Sequence, residues 1–165
     1  MKFTVLEVED DSLSSTSIPQ FDSSVIVNSK ISELRQDIDN NVFEIEKWLN
    51  SLLIQTNEDA QIKKDRCEIC LSKEDPTSLE LHHIAGRKHD YRTISACLAC
   101  HRVLSDWQKI WDKRWLRVNQ GMNIRNAFFL MGLYDILTLK GEKTGNSAYK
   151  ILANKLIESI SFLLR

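Results

Sequence analysis

The stretch from Leu81 to His101, "LHHIAGRKHDYRTISACLACH", decides how this chain is read. It holds all four histidines, His82, His83, His89 and His101, and two of the four cysteines, Cys97 and Cys100. The other two, Cys67 and Cys70, stand just upstream in "CEIC". Paired CxxC cysteines without a secretion pattern point to metal ligation rather than disulfides. A CxxC turn aims both sulfurs at one point, and two such turns complete the tetrahedral four-sulfur set that suits zinc. Iron is a minor competitor, and four buried, unligated thiols are the alternative. Four thiolates leave no open position, so this zinc is expected to be structural.

The 26 residues between Cys70 and Cys97 exceed the spacing of a simple ribbon, and a hairpin can fill them. "LELHHI" (Leu79 to Ile84) and "RTISA" (Arg92 to Ala96) have strand character, with β-branched Thr93 and Ile94 in the second. Gly86 lies between them and can take the positive φ of a tight loop. A helix is expected from about His101 to Val118. Leu104, Trp107, Ile110, Trp111, Trp115 and Val118 share one arc, so the tryptophans read as packing residues. Arg102, Lys109, Lys113 and Arg117 share another arc, interrupted by Asp106. That basic arc either follows a phosphate backbone or is a solvated face.

Outward from this window, two apolar helices are expected over Asn123–Leu139 and Ser147–Leu164, separated by the loop "KGEKTG". Upstream, Ile31, Leu34, Ile38, Val42, Ile45, Leu49 and Leu52 recur at helical spacing from Ser29 to Ile54. This stripe either packs on its own chain or zips to a second copy as a homodimer, with intramolecular packing favoured. "QTNEDAQIKKDR" looks like a linker. Residues 1–28 are acidic and serine-rich and are expected to be largely disordered, although "KFTVLEV" could form a strand. The fold class is therefore α+β and mostly helical. Its four parts are an acidic tail (1–28), an amphipathic helix and linker (29–61), a small zinc module (62–118) and a C-terminal helical hairpin (119–165).

Hydrophobic residues make up 42% and charged residues 27% of the chain, an ordinary globular balance. The net charge of −1 conceals a gradient: −4 over residues 1–28, −4 over 29–61, +4 over 62–117 and +3 over 118–165. Such asymmetry is a weak pointer to a polyanion partner. The apolar run Ala127–Leu139 is too short to span a membrane and contains Asp135. The opening "MKFTVLEVEDD" turns acidic at once, unlike a secretory signal, so an intracellular, cytoplasmic location is expected.

With the cysteines assigned to zinc, His82, His83 and His101 need another role. "CEIC…LELHHIAG…CLACH" resembles the HNH endonuclease family in its variant stapled by a four-cysteine zinc. The resemblance runs from about Cys67 to Gln108, a quarter of the chain. It implies a ββα-metal site in which His82 and His101 hold a catalytic divalent ion (Mg²⁺, Mn²⁺, Ni²⁺ or Zn²⁺) and His83 is the general base. The implied reaction is hydrolysis of a DNA phosphodiester bond, leaving 5′-phosphate and 3′-hydroxyl ends.

One position departs from the family. Its asparagine about five residues before the third cysteine is replaced by Arg92, and no asparagine occurs between Leu71 and Val118. Arg92 could grip a phosphate, with Asp90 or His89 taking the orienting role. His89 is also a candidate third metal ligand. Arg87 and Lys88, in "GRKH", join Arg102, Lys109, Lys113 and Arg117 as candidate phosphate contacts. The alternatives to a nuclease or nickase are an inactive zinc-stabilised module that docks nucleic acid, or a protein-interaction module with zinc as its staple.

Overall fold

A computed structural model describes residues 42–165 and, before them, Ser32, Gln36 and Asn40, which are helical. The chain divides into two units at residue 38, and the second, residues 39–165, holds the fold described below. The expected acidic tail and the "KFTVLEV" strand lie outside the described residues.

The second unit begins with a helix, α1, over residues 42–53. A two-stranded antiparallel sheet follows, β1 (Glu80–His83) and β2 (Thr93–Ala96), with His82 opposite Ile94 and His83 opposite Thr93. Then come α2 (Leu98–Lys109), α3 (Met122–Thr144) and α4 (Ser147–Leu163). The architecture is α+β and mostly helical. No described helix is long and apolar enough to cross a membrane.

The hairpin expected from "LELHHI" and "RTISA" is present. Gly86 takes φ +82° in its loop. A side chain there would also collide with the Trp115 indole, whose Nε1 donates to the Ala85 carbonyl at 2.9 Å.

Two strands alone are marginal in water, and here the outer edge of β2 is covered. The Gln55 side chain serves both the N–H and the carbonyl of Thr93, the Lys64 N–H donates to Ser95 Oγ, and Glu68 engages the N–H and carbonyl of Ser95. Thr93 Oγ1 donates to the carbonyl of Ala60, which is fully buried. The segment read as a linker is thus docked along β2. Composition marked it as polar, but its polar groups are those the open sheet edge requires.

The helix expected from His101 to Val118 starts earlier and stops at Lys109. Cys97 is its N-cap. Beyond it, Asp112 caps a short 3-10 turn over Lys113–Leu116. The break has a tertiary cause. It lets Trp111 stack on Phe128 (centroids 6.1 Å apart, planes 1° apart) and returns Trp115 to the hairpin loop. The tryptophans are packing residues, as expected, but the four basic residues do not share one helical arc. Arg102 and Lys109 sit on α2, Lys113 on the turn and Arg117 beyond it, all exposed.

α3 continues through most of "KGEKTG", and the chain reverses at Gly145 (φ +70°) and Asn146. Within the second unit, one core joins the hairpin and the helices. Leu52, Cys67, Ile69, Leu79, Ile84, Ile94, Leu104, Phe128, Ile136 and Leu139 are buried together. Ile45 and Leu52 of α1 are buried, with Trp48 and Leu49 packed on the core, so these positions of the amphipathic stripe pack on their own chain, while Val42 is exposed.

α3 approaches the end of β1 so closely that a Cβ at Gly132 would lie 1.9 Å from the Ile84 carbonyl oxygen. Alanine favours a helix over glycine by about 1 kcal/mol, but this obstacle is backbone and cannot rotate aside. Gly132→Ala is therefore expected to destabilise the protein by at least about 2 kcal/mol in urea unfolding. An alanine variant as stable as the parent would refute the close packing.

Candidate metal centre and the histidines beside it

The sulfurs of Cys67, Cys70, Cys97 and Cys100 all lie within 4.8 Å of one another. Cys70 Sγ and Cys97 Sγ are 3.9 Å apart. Two sulfurs bound tetrahedrally to one zinc at about 2.3 Å stand roughly 3.8 Å apart, so the cluster is of zinc-site size.

The first knuckle is a tight turn. Cys67 N–H donates to Ser72 O, Leu71 N–H donates to Cys67 O, and Arg66 bridges Lys73. Leu71 closes the turn with φ +63°, a conformation that usually calls for glycine. The second knuckle is the first turn of α2, with Cys97 as N-cap and the His101 N–H donating to the Cys97 carbonyl. The N-terminus of a helix favours thiolates.

The thiols differ without a cation. Burial pushes Cys67 up, and it pushes Cys100 up further. Burial also opposes ionisation of Cys70, but the Ser72 hydroxyl and amide outweigh it and bring that thiol down to about 7. Four sulfurs this close cannot all ionise unaided. A divalent cation resolves the conflict, and the donor set fits a structural metal such as zinc.

Strand alternation puts Glu80 and His82 on one face of β1 and His83 on the other. Glu80 and His82 meet His101 of α2. Glu80 Oε2 lies 2.8 Å from His101 Nδ1, and the His82 and His101 rings stand 5.2 Å apart, nearly perpendicular. His82 is 3% exposed, and burial, then the charges of His101 and His83, lower its pKa to about 3. It is thus a neutral imidazole, the form that binds metals. Imidazoles on one tetrahedral ion have ring centroids roughly 5.3 Å apart, given a metal–nitrogen bond of about 2.1 Å. The His82–His101 centroid separation of 5.2 Å is close to that spacing. Among the described residues, however, only the four cysteines form a set of three or more converging ligands.

His83 is half-buried. Arg87 Nε donates to its Nε2 at 3.4 Å, and its buried Nδ1 has no partner of good geometry. Burial, then the Arg87 charge, lowers its pKa, while Asp90 acts in the opposite sense. Gln108, missed in the sequence, donates from Nε2 to the His83 and Ile84 carbonyls and pins the end of β1.

Arg92 does not face open space. It forms a two-point pair with Asp90 (Nε to Oδ1 2.8 Å, Nη2 to Oδ2 2.7 Å) and lies 3.6 Å over the Phe129 ring. His89 stands apart from the other histidines, 2% exposed, with Nε2 on the Trp115 carbonyl at 2.7 Å and its ring against Phe128. Arg87 and Lys88 are exposed on the loop, Lys88 Nζ reaching the Leu116 carbonyl.

Sequence reading also missed Glu68 and Lys140. Glu68, inside "CEIC", is 6% exposed and its carboxylate accepts from Trp48 Nε1, the Ser95 N–H and Lys64 Nζ. Lys140 is 4% exposed and donates to the Glu68 carbonyl at 2.6 Å. Burial lowers its pKa to about 8. A lone lysine after the apolar run of α3 was the available signal.

Purified protein is expected to hold one tightly bound zinc per chain. Cys97→Ser should lose it, with a lower melting temperature, because metal binding and folding are coupled. Elemental analysis finding neither zinc nor iron would eliminate the centre.

A second expectation concerns acid. His82 moves from 6.5 when free to about 3 when folded. Below pH 6.5 the unfolded chain therefore takes the proton more readily, and stability falls from there toward pH 3. Thiolate protonation is common to both proteins, so His82→Asn should show a shallower acid loss than its parent over that window. Equal slopes in urea titrations would refute a buried, neutral His82.

Comparison of the chain with protein-family models, with curated proteins and with solved structures gives no match.

Proposed function

We propose that this protein is a metal-dependent endonuclease or nickase of the HNH type, hydrolysing phosphodiester bonds in DNA. The observation that carries the reading is the His82–His101 pair, 5.2 Å apart and braced by Glu80 on His101 Nδ1. It lies on a β-β-α unit whose order and CxxCH junction resemble that family. In this reading His82 and His101 hold the divalent ion, whose contribution when bound is Lewis acidity at the phosphate.

His83 takes a proton from the attacking water. The water oxygen bonds to phosphorus, the 3′-oxygen leaves, and that oxygen takes up a proton from solvent. A pKa below the ordinary value keeps His83 unprotonated at neutral pH, as a base must be. In the structure described, Arg87 sits on His83 Nε2. Transfer of Arg87 to a substrate phosphate would release that nitrogen. Lys88, Arg102, Lys109, Lys113 and Arg117 are exposed and suit further backbone phosphates.

A second reading, a non-cleaving module that docks nucleic acid or protein, is favoured by Arg92. In the position of the family's asparagine, it is engaged by Asp90 and Phe129.

The test is cleavage of supercoiled plasmid across divalent metals. His83→Ala should lose about 10²-fold or more in rate, the usual range for a general base, while keeping zinc and DNA affinity. His101→Ala should weaken binding of the catalytic ion and be partly rescued by excess Mn²⁺, a rescue unavailable to His83→Ala. Equal cleavage by His83→Ala and parent would refute the base assignment. A parent that binds DNA and never cuts it would transfer the conclusion to the docking module.

A further inference from the structure

Lys140 needs an explanation that the hydrolase reading does not supply. Its ammonium is nearly sealed from solvent, yet no carboxylate is its hydrogen-bonded partner. It meets the Glu68 carbonyl at 2.6 Å, the Trp48 ring face at 4.3 Å and the Tyr149 ring at 5.3 Å. The nearby Glu68 carboxylate already takes Lys64 Nζ, Trp48 Nε1 and the Ser95 N–H. Burial disfavours the Lys140 ammonium and outweighs the favourable Glu68 charge, and Lys64 opposes it too, so the buried cation is under-compensated. Nor is Lys140 a surface residue caught by packing, because its helix carries it to the peptide next to Cys67.

Further negative charge would come from a loaded metal centre, since the Cys67 sulfur also acts on Lys140 in the favourable sense. Four thiolates around a divalent ion leave two negative charges in excess. Cys67 and Cys100 are buried, so water cannot neutralise that excess at those sulfurs. The first turn of α2 supplies part of the compensation through its helix N-terminus. On the other knuckle, Glu68 and Cys67 are adjacent, so the Lys140 ammonium lies against the chain that carries the Cys67 sulfur.

We propose that Lys140 is the buried counter-charge of the four-cysteine metal centre, delivered from α3 through the Glu68 carbonyl. Lys140 and the metal stabilise each other. The cation lowers the electrostatic cost of four thiolates, and the loaded centre adds negative charge to that of the Glu68 carboxylate, which Lys64 already shares. The C-terminal helices are thereby coupled to metal loading, although they contribute no ligand. This rests on the four-cysteine site and is independent of any catalytic role.

The experiment measures zinc affinity of the full chain by competition with a chromophoric chelator. Lys140→Gln keeps a donor without the charge, Lys140→Met removes both, and Lys140→Arg keeps the charge. The two neutral variants are expected to bind zinc about 10- to 100-fold more weakly, the usual effect of losing an outer-shell partner, while Lys140→Arg retains most of the affinity. Simple loss of packing could imitate this, so the same proteins are loaded with iron and titrated redox-wise. A nearby cation favours the more negatively charged ferrous centre. Lys140→Gln should therefore lower the midpoint potential relative to Lys140→Arg, a tenfold shift toward ferric being about 59 mV for one electron.

If Lys140→Met fails to fold, the Gln–Arg comparison decides. Zinc affinity within threefold of the parent in Lys140→Gln, or equal iron potentials in the Gln and Arg variants, would overturn the proposal. A parent that takes up no metal would remove the centre itself, a different failure from either.

Discussion

Convergence of four sulfurs within 4.8 Å is the constraint on which the rest of this structure depends. It joins two segments with no strong intrinsic reason to meet, a six-residue turn around "CEIC" and the first turn of α2. Between them runs a two-stranded hairpin too small to be stable alone. Closing the sulfurs fixes where the hairpin begins and ends, and so fixes the directions in which β1 and α2 present their histidines. His101 follows Cys100 directly, so the closure that sets one sets the other.

The sulfurs do not act alone. The knuckle is embedded in hydrogen bonds that reach three other elements. Glu68 closes the outer edge of β2, receives Trp48 from α1 and, through its carbonyl, Lys140 from α3. The hairpin is backed by α3, pressed close enough that only glycine fits at position 132. Phe128 fills the angle between them, stacked on Trp111 and against His89. The centre is therefore a junction of the whole core, and a metal there would report on packing well beyond its ligands.

On the histidine side, two patterns combine. Alternation along β1 separates His82 from His83, and the turn of α2 brings His101 across to His82 and Glu80. Burial keeps His82 neutral and lowers His83, so both are in the unprotonated form at neutral pH. His82 and His101 thus meet on one face of β1, and His83 lies on the other, against Arg87. Arg92 fits less directly with the endonuclease reading, since its two-point bond to Asp90 braces the loop instead of facing outward. The brace still shapes the backbone beside His83, because Ile84 N–H donates to the Arg92 carbonyl.

Several features were legible in the residues because their chemistry is local. CxxC spacing declares a knuckle whatever surrounds it. Strand character, with β-branched Thr93 and Ile94, marked the hairpin, a glycine marked the loop that needed positive φ, and apolar runs split by a glycine-bearing loop marked the later helices. Other features were not legible, because they depend on what lies opposite in space. The end of α2 at Lys109 follows from where Trp111 and Trp115 find Phe128 and the Ala85 carbonyl, not from any breaker in the chain. The supposed linker is ordered because β2 has an open edge. Glu68, Glu80, Gln108 and Lys140 looked like ordinary polar residues. Burial of a charge or amide takes its meaning from partners up to 72 residues away. The sequence by itself determined which side chains could bind metal and which segments would be strand or helix. Tertiary structure alone decided which of them share a site, because one-dimensional spacing carries no information about desolvation or about contacts between distant elements.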